Sequence, residues 1–166
     1  MATPIRVADA ADAASVAQFF DGIYDSQHGP GSASAWGMVE RTAAVLFPER
    51  GGPTVLVYDV DGDIQGVVAY QIDPAHGCAT IVTVQVRDTV RGRGAAQQLL
   101  SETVRACVIA GVSMLSTEVA AADVRARGFL RREGFSVVVE GETAPESEDD
   151  ATVTYRRLLP AGPAAE

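Results

Sequence analysis

The sequence predicts a mixed α/β fold, and three observations carry the prediction. β-branched and apolar runs at 54–60, 64–72 and 79–86 follow one another across short turns, as the strands of a meander do. Two later stretches, 95–108 and 123–133, space their apolar residues as helices. Each of those helices is followed by a further strand pattern, at 112–119 and 135–140.

The elements can be justified in order. Residues 4–7 read as a short strand. Asp9 or Asp12 then caps a helix, because a carboxylate accepts the free amide protons of a first turn. Ala13, Val16, Phe19, Phe20 and Ile23 keep helical spacing to about Tyr24. Residues 27–34 (QHGPGSAS) form a loop punctuated by Gly and Pro. A second helix from about Ala35 carries Trp36, Val39, Ala43 and Leu46 and ends before Pro48. Asp61-Gly62 between two β-branched runs is a hairpin turn. Residues 73–77 turn into a third antiparallel strand, and 87–94 form a loop rich in Gly and Arg. The next helix shows Ala96, Leu99, Leu100, Val104, Cys107 and Val108 on one face. After the strand at 135–140 comes a polar acidic loop, 141–150, then a last strand at 152–159 and a frayed tail at 160–166. The order is β-α-α-β-β-β-α-β-α-β-β, one domain over residues 1–166, without repeat or linker.

Composition excludes several functions. The chain has 166 residues and 17.3 kDa, with 47% apolar and 21% charged residues, which are globular proportions. All 13 basic residues are Arg, so a P-loop and Schiff-base chemistry are ruled out for want of Lys. A net charge of −9 argues against nucleic acid as a partner. Cys78 and Cys107 are too few for a disulfide framework, and no CxxC pair points to a metal. A reduced setting follows. Residues 1–12 lack a signal-peptide pattern, and no apolar run approaches the ~18 residues that span a bilayer. The expectation is a soluble cytoplasmic protein with no membrane partner.

The chemistry concentrates in Val84–Leu100 (VQVRDTVRGRGAAQQLL). A strand runs into Arg91-Gly92-Arg93-Gly94-Ala95-Ala96, where a helix begins. A helix N-terminus offers unpaired N–H groups and partial positive charge, hence an anion site. Gly92 and Gly94 clear side chains from those amides, Ala96 lets the helix sit close, and Arg91 and Arg93 add forked donors. Residues 87–132 hold eight Arg and four acids, a positive stretch in a negative protein. A dinucleotide fingerprint would want a small residue where Gln97 stands.

The segment resembles the acyl-CoA motif of the GNAT N-acetyltransferases, (Q/R)xxGx(G/A), through Arg91, Gly94 and Ala96. The family's second pattern, N-x-x-A-x-x-x-Y-x-x-x-G-F, is met at the expected place by Ala126, Gly134 and Phe135, with Asp123 in the Asn position. The resemblance covers about residues 4–159. It implies a splayed central sheet with helices on both faces and acetyl-CoA as co-substrate. Val84 and Val86 would pair with the pantetheine arm, and the amides of Arg91, Gly92, Arg93, Gly94, Ala95 and Ala96 would hold the pyrophosphate. An amine would attack the thioester directly, with a base to take its proton and an acid for the leaving thiolate. Pairs of subunits are frequent in the family, so a homodimer is among its implications.

The sequence departs from the pattern where the family's acid, a Tyr, would stand: that position is Leu130. Tyr155 and Ser116 are the substitutes considered. For the base, Glu118 lies near a strand's C-terminal end, where open sheets place ligands. Alternation sets it on one face with Met114 and Ser116, a half-buried environment suited to a base. Asp73 with His76 is the second choice, and His28 a further substrate contact. Glu140, Glu142, Glu146, Glu148, Asp149 and Asp150 make an acidic loop that would attract a cationic acceptor. Two further readings are a non-catalytic acyl-CoA-binding module, which Leu130 motivates, and a Rossmann-type nucleotide binder.

Overall fold

The computed structural model describes residues 4–31, 42, 44–138 and 151–162. Its strands are β1 (Ile5–Val7), β2 (Thr54–Val60), β3 (Asp63–Asp73), β4 (Cys78–Val86), β5 (Met114–Ala120), β6 (Ser136–Val137) and β7 (Thr152–Leu158). Its helices are α1 (Ala13–His28), α2 (Ala95–Ile109) and α3 (Val124–Arg132). One seven-stranded sheet runs β1-β2-β3-β4-β5-β7-β6. It is mixed: β4 and β5 are parallel, whereas β1–β2, β2–β3, β5–β7 and β6–β7 are antiparallel. A parallel pair needs a long crossover, and the Gly-Arg loop and α2 supply it. Residues 42 and 44–46 are helical. Trp36, Val39 and Ala43 of the expected second helix lie outside the described residues, as does the acidic segment from Glu140 to Asp150. No helix among the described residues is long and apolar enough to cross a membrane.

The chain divides into two compact units, Met1–Gln71 with Thr83–Thr103, and Ile72–Val82 with Val104–Glu166. In the first, Asp61 (φ 54°) and Gly62 (φ 87°) both take positive φ, the condition for a tight hairpin turn between right-twisted strands. Val55 and Val57 on β2 and Ile64, Val67 and Ala69 on β3 are buried with Val16 and Phe19 of α1 and with Leu46. The helix runs four residues past the expected Tyr24. It stops where Gly29 takes φ 103° and donates its N–H to the Asp25 carbonyl at 2.8 Å.

Arg6 ties this unit's edge together. Its guanidinium donates to both oxygens of Asp12 at 2.9 Å and to Asp59 at 3.1 Å. Asp9 caps the turn Ala10–Asp12 through the Ala11 N–H, and Asp12 accepts the Asp9 N–H in return, so both candidate caps serve that turn rather than α1. Hydrogen bonds from Arg6, and then from the Asp9 amide, pull the Asp12 carboxyl down to about 2. The folded pKa lies below the unfolded 3.8. The group's contribution is therefore complete above pH ~4 and is lost as pH falls toward 2. Urea unfolding from pH 5 to 2 should show this acid loss. Arg6→Met should flatten it by an amount of order 1 kcal/mol, since the Arg6 side chain is 44% exposed and partly screened.

In the second unit, β5 pairs with β7 along its length, from Met114 opposite Leu158 to Ala120 opposite Thr152. The parallel register with β4 runs from Cys78–Met114 to Ile81–Thr117. The buried Thr117 hydroxyl donates to the Ile81 carbonyl at 3.2 Å, where that register ends. Asp123 caps α3 by accepting the Ala126 N–H at 3.0 Å. Leu130 and Phe135 are buried. The strand expected at 135–140 is recognised only at Ser136–Val137, and 139–140 lie outside the described residues.

The buried face of α2 differs from expectation. Ala95, Leu99, Leu100, Thr103 and Cys107 are buried, while Ala96, Val104 and Val108 are half-buried. Thr103 can be buried because its hydroxyl donates to the Leu99 carbonyl at 3.0 Å. Burial pushes the Cys107 thiol pKa up.

Candidate active site

β4 hands over to α2 through two consecutive tight bends. Arg91 N–H donates to the Asp88 carbonyl and Arg93 N–H to the Val90 carbonyl, each at 3.2 Å. Gly92 and Gly94 sit at φ 76° and 79°. A Cβ on Gly92 would meet nothing within 4 Å, so backbone shape rather than lack of room demands glycine there. The first i→i−4 bond of α2 runs from the Gln98 N–H to the Gly94 carbonyl at 2.9 Å. The amides of Gly94, Ala95, Ala96 and Gln97 precede it and have no acceptor within the helix. Arg93 is exposed and makes no ion pair among the described residues. Arg91 pairs with Asp88 at 2.5 Å. This donor set fits a diphosphate: main-chain N–H groups at a positive helix end beside a free guanidinium.

Two neighbours shape this loop that the sequence reading passed over. A Cβ on Gly66 of β3 would come within 3.0 Å of Leu99 Cδ1 and Val86 Cγ1. An isolated Gly inside a strand pattern is the signal that would have found it. Ala95, only 2% exposed, is the small residue the helix start requires, rather than the half-buried Ala96. Arg87 is the second neighbour. It is held by protein groups, with its Nε donating to the Ile64 carbonyl at 3.0 Å. Val84 and Val86 are half-buried on β4.

The second unit carries an open depression of about 580 Å³. Thr80, Val82, Ser116, Glu118, Thr154 and Arg156 are among the residues that line it. Register explains the grouping: Thr80 is beside Ser116, Ser116 is opposite Arg156, and Glu118 is opposite Thr154. The Ser116 hydroxyl lies 3.4 Å from the Thr80 hydroxyl and 3.5 Å from the Ala79 carbonyl. Glu118 is exposed and makes no hydrogen bond or ion pair among the described residues. The half-burial expected for it does not occur: the register with β4 ends at Ile81–Thr117, one residue before Glu118.

Tyr155 does not reach the depression. Its neighbour Arg156 lines it, so Tyr155 points to the opposite sheet face. There it is wholly buried, and its hydroxyl accepts from Arg127 Nε at 3.1 Å. Arg127 also donates to the Ala121 carbonyl at 2.9 Å, fixing the start of α3.

The remaining candidates lie elsewhere. Asp73 accepts from His76 Nδ1 at 2.7 Å on the exposed turn between β3 and β4, and the imidazole holds its carboxyl below the usual range. Neither residue lines the depression. His28 stacks on Tyr24 with ring centroids 4.1 Å apart, and its Nδ1 is 3.1 Å from the Tyr24 carbonyl. Among the described residues no group of three or more His, Cys, Asp or Glu is placed to hold a metal ion.

Residues 20–135 match the family model described as Acetyltransferase (GNAT) family. A GNAT-family acetyltransferase from Staphylococcus aureus superposes with a TM-score of 0.72 at 14% identity, covering 94% of this chain and 98% of that one. The PaiA N-acetyltransferase of Thermoplasma acidophilum, solved in complex with coenzyme A, gives 0.73 at 13% identity, over 96% and 100%. The ribosomal-protein alanine N-acetyltransferase of Escherichia coli gives 0.64 at 17% identity, over 98% and 96%. At such identities the likeness is one of fold. No curated protein matches the chain.

Proposed function

The chain belongs to the acetyltransferase (GNAT) family, and from that premise we propose that it transfers the acetyl group of acetyl-CoA to a primary amine. The observation that carries the co-substrate is the loop: four helix-start amides behind two positive-φ glycines, with Arg93 unpaired beside them. A structural neighbour bound to coenzyme A supports the same ligand. Bound acetyl-CoA supplies the activated thioester. Gly94, Ala95, Ala96 and Gln97 grip the diphosphate through main-chain N–H groups, and Arg91 and Arg93 neutralise it. Val84 and Val86 offer β4 backbone to the pantetheine arm.

The depression takes the acceptor. Glu118, a free carboxylate, recognises the ammonium and removes its proton so that the amine can attack. Ser116 is the hydroxyl on the same face and is assigned a hydrogen bond to the leaving thiolate, whose proton comes from the amine nitrogen as the amide forms. Tyr155 is assigned a structural role, holding Arg127. The acceptor is a small molecule or a peptide amine, and the E. coli neighbour acts on a protein's alanine. A cytoplasmic location fits the two free thiols, Cys78 and Cys107.

Thermal unfolding tests the co-substrate. Saturating CoA or acetyl-CoA at about 100 times Kd adds roughly 2.7 kcal/mol to the folded state. A clear rise in Tm with both, and none with NAD, is the expected result; no rise overturns the reading. Leu130, buried where a phenol would stand, favours a second reading as a non-catalytic acyl-CoA-binding module. Free thiol released only when an amine is added would exclude that module.

A further inference from the structure

We propose that Arg87 is the positioning residue of the diphosphate loop. It fastens the loop's first residue to β3 and α1 without touching the ligand. The inference rests on the CoA reading above. Arg87 is held at four points. Its backbone N–H donates to the Gln65 carbonyl at 2.8 Å. Its Nε donates to the Ile64 carbonyl at 3.0 Å. Its guanidinium carbon lies 5.6 Å from the centroid of the Phe19 ring, within cation–π range. A terminal nitrogen is 3.9 Å from Asp63. Two residues on, the Thr89 hydroxyl donates to the Gln65 side-chain carbonyl at 3.2 Å. The loop thus leaves β4 stapled at two points to the start of β3.

That staple matters because the ligand's donors are main-chain amides. An amide binds a phosphate well only when its direction is set beforehand; otherwise binding must first order the loop. Phe19 and Ile64 belong to the buried core, so Arg87 passes the rigidity of that core to the loop. Among the arginines of the loop, Arg93 is the free cation, whereas Arg87 is committed to the fold. A count of positive charge treats the two as equivalent, but their contacts do not.

The test compares wild type, Arg87→Met, Arg87→Lys and Arg50→Met. The last removes an equal charge from an exposed residue outside the loop. Calorimetric titration with CoA should give a Kd about tenfold weaker for Arg87→Met, the effect of losing a charge-assisted hydrogen bond. Arg87→Lys should fall between, and Arg50→Met should stay at the wild-type value. In the ligand-free protein, amides 88–94 of Arg87→Met should exchange hydrogen faster while those of the β2–β3 hairpin do not. That local change separates positioning from lost charge. Unaltered CoA affinity in Arg87→Met, or weaker binding with unaltered loop exchange, overturns the proposal. Should Arg87→Met fail to fold, Arg87→Lys reads the same comparison. If wild type binds no CoA, the functional reading falls, whereas the exchange comparison still reports whether Arg87 fastens the loop.

Discussion

Gly94→Val is expected to weaken CoA binding by at least about a hundredfold while leaving the protein folded. Gly94 has a φ of 79°, where an L-residue costs roughly 1–2 kcal/mol and a β-branched one more. The chain can relieve that cost by rotating the Gly94 peptide, which moves the first free amide of α2 away from the anion. A branched side chain would also occupy the approach to the Ala95 and Ala96 amides. The two losses act on the same ligand contacts, so the effect exceeds either alone. Nothing but the Gln97 and Gln98 side-chain tips stands within 4.0 Å of a Cβ at this point, so the core is not disturbed. Calorimetric titration with CoA, alongside a far-UV spectrum and a melt, checks the prediction. A folded variant with wild-type affinity would remove the loop from the ligand site.

Glu118→Gln is expected to lower kcat/KM for the amine by about 10²-fold or more, the usual worth of a positioned general base. Glutamine keeps the shape and one acceptor oxygen but cannot take a proton or pair with an ammonium. Because Glu118 lines the depression and not the diphosphate loop, the Kd for CoA should be unchanged. Glu118→Asp should recover part of the activity by restoring the charge one methylene short. The measurement is thiol release across a panel of primary amines, taken with an amine that the wild type acetylates. Equal rates for wild type and Glu118→Gln would mean that the proton leaves by another route.

What could be read in the sequence follows from how locally each feature is encoded. The hairpin was legible because Asp61-Gly62 and period-two alternation are neighbours in the chain. The bend into α2 was legible because it lies in the spacing of Gly92 and Gly94, both at positive φ. The end of α1 was misjudged by four residues because Gly29, rather than any loss of apolar spacing, stops it. Apolar spacing alone does not put Thr103 on the buried face, because a hydroxyl counts as polar in a pattern although its own helix satisfies it. Strand-end position and alternation suggest Glu118, and a hydroxyl on the last strand suggests Tyr155. Their surroundings are set by β7, α3 and β4, distant in sequence, and these leave Glu118 uncovered and seal Tyr155 beneath Arg127. Arg87 looked like one more loop cation because its acceptor on Ile64 lies 23 residues earlier.

The proposed grip on the anion is made of peptide groups, and this bears on how far such a chain can drift. Any residue that tolerates a helix start can occupy Ala96 or Gln97 and still present the same N–H. Selection at this site therefore acts on a few conformations, those of Gly92 and Gly94 above all, and barely on side-chain identity. The fold itself is shared over 94% and 96% of the chain at 14% and 13% identity. The proposed acceptor side is the reverse case. There Glu118 and Ser116 are assigned roles that depend on their side chains, so on this proposal a single codon change can alter the amine without disturbing the loop. On the proposed function, ancestry is recorded in the loop and specialisation in the strands.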